Sequence, residues 1–164
     1  MKPVCLVLGA GAGIGGTVAA KFAREGYHSC LCRRSDQAGL DKLVKGIEDE
    51  GGSANGYLIN AIEENALEEL IAKVESEVGP IEVFVYNLGA QTGMKLLDKT
   101  SLKEYEWGWR MASLGLFRVA KVLCPIMKDR GKGTILVTSA TAAMRGNATQ
   151  HSHAAAMGAR RMLC

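Results

Sequence analysis

A chain of 164 residues is long enough for one domain with a real core. Hydrophobic residues make up 48% and charged residues 23%, the balance of a water-soluble globular protein. A formal charge of +3, scattered along the chain, argues against nucleic acid as a partner, and no apolar run approaches the ~20 residues of a membrane-spanning helix.

Strands and helices alternate from end to end. The run from Pro3 to Leu8 is almost continuously apolar, as in a strand buried on both faces. It leads directly into a glycine turn, so it reads as a first strand and not as a signal peptide. The expected compartment is the cytoplasm, or an organelle lumen or matrix reached through a cleaved targeting segment. A helix follows with Ile14, Val18 and Phe22 on one stripe, then a short second strand from His28 to Cys32. Leu40, Leu43, Val44 and Ile47 take helical spacing, Gly51-Gly52 closes that helix, and residues 54–59 make a third strand. Leu67, Leu70, Ile71, Val74 and Val78 form another helical stripe, ended by Gly79-Pro80. Ile81 to Tyr86 is a fourth strand and Thr134 to Thr138 a fifth, while residues 90–100, with Gly93 among them, form the longest loop. This alternation predicts an α/β fold, a doubly wound parallel sheet covered on both faces through right-handed crossovers.

The segment 101–127 is predicted as the longest helix. Leu102, Tyr105, Trp109, Ala112, Leu116, Val119 and Leu123 recur at spacings of three and four, and Trp107, Met111, Leu114 and Phe117 add apolar surface outside that stripe. Such a helix needs partners on more than one side. One is the sheet; the second is either another subunit in a two-fold contact or more of the same chain. The five cysteines, Cys5, Cys30, Cys32, Cys124 and Cys164, contain no C-x-x-C pair. They read as small buried hydrophobes in a reducing compartment, and no residues are assigned to a metal.

The strongest local signal is Leu8-Gly9-Ala10-Gly11-Ala12-Gly13-Ile14-Gly15-Gly16, directly after the first strand and opening a helix. Gly9 allows a tight turn, Gly13 lets backbone N–H groups approach a pyrophosphate, and Gly15 permits close packing of helix on sheet. Gly9, Gly11, Gly13, Ile14 and Gly15 are therefore candidate dinucleotide-binding residues, in the strand–turn–helix context such a site requires. The end of the second strand selects the cofactor: an acidic residue there suits a ribose 2′-hydroxyl, an arginine a 2′-phosphate. The sequence reads Cys32-Arg33-Arg34-Ser35, so NADP(H) is favoured over NAD(H), with Arg33 and Arg34 as phosphate ligands. Asp36 comes later, where it can cap the next helix.

The spacing Gly9-x-x-x-Gly13-Ile14-Gly15 resembles the glycine loop of short-chain dehydrogenases/reductases, whose fold is Rossmann-like. Tyr86-Asn87-Leu88-Gly89 resembles the family's N-N-A-G element, and the glycine-led fifth strand with Ser139 after it fits as well. The resemblance covers the whole chain but only the N-terminal portion of the family fold. It implies that Asn60-Ala61 stands where an Asp-hydrophobic pair contacts adenine, and that Asn87 and Gly89 support the cofactor and the sheet centre. It further implies an Asn-Ser-Tyr-Lys catalytic set, which this sequence breaks. His153-Ala154-Ala155-Ala156-Met157 stands in place of Y-x-x-x-K, and Ala112 or Ser113 stands in place of the helix Asn. Ala140 fits the serine spacing slightly better than Ser139.

Ser139 and His153 remain as catalytic candidates. An imidazole can exchange a proton near neutral pH, but His153 lacks the tuning lysine. Alternatively His151 and His153 are polar residues opening a helix, and their i, i+2 spacing does not favour a shared metal. A full family member continues with a sixth strand and a substrate-covering segment, so the expected domain is a single, truncated dinucleotide-binding unit over residues 1–164. An open fifth-strand edge would be a liability for an isolated monomer, so the expectation is either an incomplete chain or a partner, such as a larger assembly, that covers this edge. Two functions follow: an NADP(H)-binding oxidoreductase with an atypical or degenerate site, or a non-catalytic binding or structural subunit of a larger assembly, without cofactor if the role is purely structural.

Overall fold

The computed structural model describes residues 2–89 and 94–164, which form two compact units, Met1–Asn87 with Lys121–Val137 and Leu88–Ala120 with Thr138–Cys164. The first unit holds a five-stranded parallel sheet of order β3-β2-β1-β4-β5, with β1 at Val4–Leu8, β2 at His28–Arg33, β3 at Ser53–Leu58, β4 at Ile81–Tyr86 and β5 at Thr134–Val137. Every residue of β1 is buried, as the apolar run requires of a central strand. The order reverses between β1 and β4, the switch point at which open α/β sheets bind ligands.

Parallel pairing sets the faces. Leu6 lies opposite Cys30 and Phe84, and Val7 opposite Leu31 and Val85. The face with Cys5, Val7, Leu31, Val83 and Val85 packs on helix α1 (Ile14–Arg24) through Ala19 and Ala23 and on α2 (Gln37–Asp49) through Leu40 and Ile47. Cys30 and Cys32 point to the other face, away from Cys5. Helix α3 (Ala66–Glu77) buries Leu67, Leu70, Ile71 and Val74, the predicted stripe. Arg130, at the end of α5 (Gly115–Arg130), reaches Glu75 of α3 at 2.6 Å and the Ile81 carbonyl of β4 at 3.2 Å. Strand bounds shift from the expected ones by a residue, and Thr138 leaves the fifth strand. Both sheet edges are exposed, at Leu58 of β3 (43%) and Leu136 of β5 (41%).

The second unit is helical. Helix α4 (Leu102–Trp109) starts with a capping box between Ser101 and Glu104, and packs against α6 (His151–Leu163), whose Ser152 hydroxyl donates to the Glu104 carbonyl at 2.9 Å. The expected single helix 101–127 requires correction. A π turn at Arg110–Leu114 separates α4 from α5, and α5 continues to Arg130. A π turn accommodates one extra residue, which rotates everything upstream by about 100° relative to everything downstream. The expected stripe therefore holds only from Ala112 on, where Leu116, Val119, Leu123 and Met127 are buried. Upstream, Leu102 (90% exposed), Tyr105 and Trp109 face solvent, and Gly108 takes the buried position instead.

The reading of all five cysteines as buried also changes: Cys5, Cys30 and Cys32 are buried, but Cys124 and Cys164 are exposed. Of the expected loop 90–100, residues 90–93, with Gly93, lie outside the described residues. The remainder contains a turn of 3-10 helix at Leu97–Lys99. Among the described residues, no helix is long and apolar enough to cross a membrane.

Candidate functional site

Gly9 leaves β1 at φ 88°, a left-handed conformation that L side chains rarely adopt. The turn that follows is bonded back to β2: the N–H groups of Gly9 and Ala10 both donate to the Cys32 carbonyl, at 2.9 and 2.8 Å. The glycine loop and the Arg33-Arg34 segment are thus held side by side through one carbonyl. Gly15 lies so close to the loop that a Cβ there would stand 2.3 Å from the Gly9 carbonyl oxygen, 2.9 Å from Ala10 Cα and 3.0 Å from Asn87 Nδ2. Gly11 and Gly13 differ, since among the described residues a Cβ on either meets nothing within 4 Å. The outer side of the loop is open, and Ile14 beside it is 63% exposed despite its apolar side chain. Within α1, Gly16 N–H already donates to the Gly11 carbonyl at 2.9 Å and Thr17 N–H to the Gly13 carbonyl at 3.1 Å, and the positive end of the helix lies at this open side.

Asn87, one residue beyond β4, joins this arrangement from the sheet centre. Its N–H donates to the Leu8 carbonyl and its side-chain amide to the Gly9 carbonyl, both at 2.9 Å. Gly89 has open space where a Cβ would stand.

The arginines at the end of β2 are placed differently from each other. Arg33 is an ion pair with Asp36 at 3.1 Å, and Asp36 caps α2 by accepting from Gly39 N–H at 2.9 Å. The acidic residue near the site is thus already committed to a cap and an arginine. Arg34 lines a cavity of about 630 Å³ with Tyr57, Ile59, Asn60 and Lys73. Asn60 donates its amide to Glu63 at 2.9 Å, and Ala61 follows it at the exit of β3.

Beneath the loop, burial pushes the Cys5 and Cys30 thiols up to about 12, and Cys32 well above its ordinary value. These thiols stay protonated at neutral pH and are poor nucleophiles.

In the second unit Ser139 is exposed after β5, and Ala140 packs on a small core of Ala112, Ala156 and Met157. Met157 is 4% exposed within this apolar cluster, so the position where the family resemblance expects a lysine has been absorbed into a core. Among the described residues, His153 Nδ1 is buried and has no hydrogen-bond partner. His151 points elsewhere, lining an open cavity of about 510 Å³ with Tyr105, Arg145 and Asn147.

Sequence reasoning passed over Arg160, a fully buried arginine of α6. The available signal was its place on the stripe Ser152, Ala156, Arg160, where a charge interrupts otherwise small residues.

A family model described as short chain dehydrogenase matches residues 3–164. The chain belongs to the short-chain dehydrogenase family. It is 30% identical over 154 residues to the 3-oxoacyl-(acyl-carrier-protein) reductase of Thermotoga maritima, covering 93% of this chain and 61% of that one. It is 29% identical over 140 residues to the 2,3-dihydro-2,3-dihydroxybenzoate dehydrogenase of Bacillus subtilis, covering 85% of this chain and 53% of that one. Among solved structures, a gluconate 5-dehydrogenase from Burkholderia cenocepacia in complex with NADP and tartrate superposes with a TM-score of 0.87 at 28% identity, over 98% of this chain and 62% of the other. The chain therefore spans between half and two thirds of the length of these family members.

Proposed function

We propose that residues 1–164 are a dinucleotide-binding domain that takes a nicotinamide dinucleotide, NADP(H) ahead of NAD(H), within an oxidoreductase whose catalytic site is atypical or degenerate. The observation that carries this reading is the glycine loop itself. It is packed tightly on its inner side at Gly15, open on its outer side at Gly11 and Gly13, and bonded to the strand end that bears Arg33 and Arg34. A pyrophosphate fits the open side, where amides and the helix dipole meet it. Gly9, Gly11, Gly13, Ile14 and Gly15 would hold that group, Arg33 and Arg34 a 2′-phosphate, Asn60 and Ala61 the adenine, and Asn87 and Gly89 the sheet-centre side. When bound, such a cofactor supplies hydride-transfer chemistry. The NADP complex of the gluconate 5-dehydrogenase, and an actinorhodin polyketide ketoreductase with NADPH at 27% identity, support the choice of cofactor.

Calorimetric titration with NADPH and, separately, NADH tests this. Tight NADPH and weaker NADH binding supports it; folded protein that binds neither sinks it. Whether Ser139 and His153 do chemistry is a separate matter. Turnover over varied carbonyl substrates that His153→Ala leaves intact removes His153 as the acid.

A second reading, a non-catalytic binding or structural subunit, is favoured by the burial of Met157 and by Ala140 at the serine spacing. The exposed aromatics of α4, with Tyr105 and Trp109 one turn apart on one face, suit a second copy of the chain, and the β5 edge suits a covering partner. Light scattering that returns a monomer at all concentrations removes the self-association part. Three buried thiols fit a reducing compartment, the cytoplasm or an organelle matrix.

A further inference from the structure

Burying a guanidinium is costly unless its donors all find acceptors. Arg160, 1% exposed, gives each of its three nitrogens a main-chain acceptor. Its Nε donates to the Ala112 carbonyl at 3.0 Å, Nη1 to the Thr138 carbonyl at 3.0 Å and Nη2 to the Leu88 carbonyl at 2.7 Å. These acceptors lie 48, 22 and 72 residues away along the chain, so one planar fork joins three segments that are distant in sequence.

Two of the acceptors neighbour a candidate residue. Leu88 sits between Asn87 and Gly89, and Thr138 precedes Ser139. Ala112 lies in the π turn, which holds both Ala112 and Ser113, the two positions that stand where the resemblance expects an asparagine. π turns disturb the regular i→i−4 ladder, and here an outside donor takes one of the carbonyls. Position 157 of α6 is an apolar core residue, and the buried cation of this helix comes three residues later.

We infer that Arg160 is a positioning residue, which sets the backbone course of Leu88–Gly89 and Thr138–Ser139 and thereby the presentation of these residues to a ligand. The ligand part rests on the dinucleotide reading above; the backbone part does not.

The test uses the full chain with Arg160→Met, which keeps length but no donors, and Arg160→Lys, which keeps the charge on a single nitrogen. Amide hydrogen exchange is followed with residue resolution, alongside NADPH titration. Both variants are expected to fold, and amides of 88–89 and 138–140 to exchange faster by about tenfold or more, while those of β1 and β2 keep their rates. NADPH affinity is expected to fall by about tenfold in Arg160→Met and by less in Arg160→Lys. Unchanged exchange in both segments, a uniform rise across the molecule, or failure of both variants to fold overturns the inference. Faster local exchange with unchanged NADPH affinity overturns it too. A wild-type chain that binds no NADPH defeats the dinucleotide reading, and the exchange pattern still decides the anchoring by Arg160.

Discussion

Replacing Gly15 by alanine puts a Cβ 2.3 Å from the Gly9 carbonyl oxygen, about 1 Å short of an ordinary contact. Both nearest neighbours, Gly9 and Ala10, are backbone, which cannot swing aside as the end of a side chain would. The loop must move or α1 must lift from it. Overpacking of this kind costs about 1–3 kcal/mol. Displacing the Gly9 carbonyl also strains its hydrogen bond from Asn87, about 1 kcal/mol more. The expected loss is therefore about 2–4 kcal/mol, a urea midpoint lower by roughly 1–2 M. Gly11→Ala is the matched control, because among the described residues its Cβ meets nothing within 4 Å. Its stability should stay within about 0.5 kcal/mol of the wild type, while dinucleotide affinity falls because the methyl occupies the open side. Urea unfolding followed by circular dichroism, with NADPH titration of each variant, measures both effects. Gly15→Ala as stable as wild type would refute the packing argument. Gly11→Ala binding NADPH at full strength would refute the assignment of the open side to the ligand.

Three further outcomes are expected. Arg33→Ala weakens NADPH binding by about 10–100-fold, the worth of a charge-assisted contact, and leaves NADH within about threefold; equal losses for both would remove the 2′-phosphate assignment. In native protein a thiol reagent labels Cys124 and Cys164 quickly and Cys5, Cys30 and Cys32 only on unfolding, because burial keeps those three protonated and covered. The third concerns acid. Hydrogen bonds from Lys95 first, then from the Ser101 amide and hydroxyl, hold the Glu104 carboxyl down at about 2, against an ordinary value of 4.5. A depressed carboxylate stabilises the fold above its unfolded value, and that contribution is lost as pH falls from about 4.5 towards 2. Urea midpoints measured down this range should fall more steeply for wild type than for Glu104→Gln; parallel curves would refute the role of this cluster.

The sheet was legible because a parallel strand buried on both faces writes itself as an unbroken apolar run, as Val4–Leu8 does, and because Gly51-Gly52 and Gly79-Pro80 punctuate the helices between strands. The glycine loop was legible for the same local reason: its residue types are dictated by a turn and a close approach within nine positions of one another. The cap at Asp36 was likewise local. The phase of the long helix was not, since whether a π turn forms at Arg110–Leu114 depends on what takes the freed carbonyls, and one donor, Arg160, comes from 48 residues away. The fates of Met157 and Arg160 were settled in the same way. Both are side chains of an Ala-rich helix, and only the packing of α6 decides that one fills an apolar cluster and the other anchors three carbonyls. Sequence alone determined the strands, the shorter helices between them and the strand–turn–helix glycine loop, because those follow from backbone conformation and short-range periodicity. Tertiary structure decided the environment of His153, Met157 and Arg160, because burial and hydrogen-bond partners are properties of segments brought together from far apart in the chain.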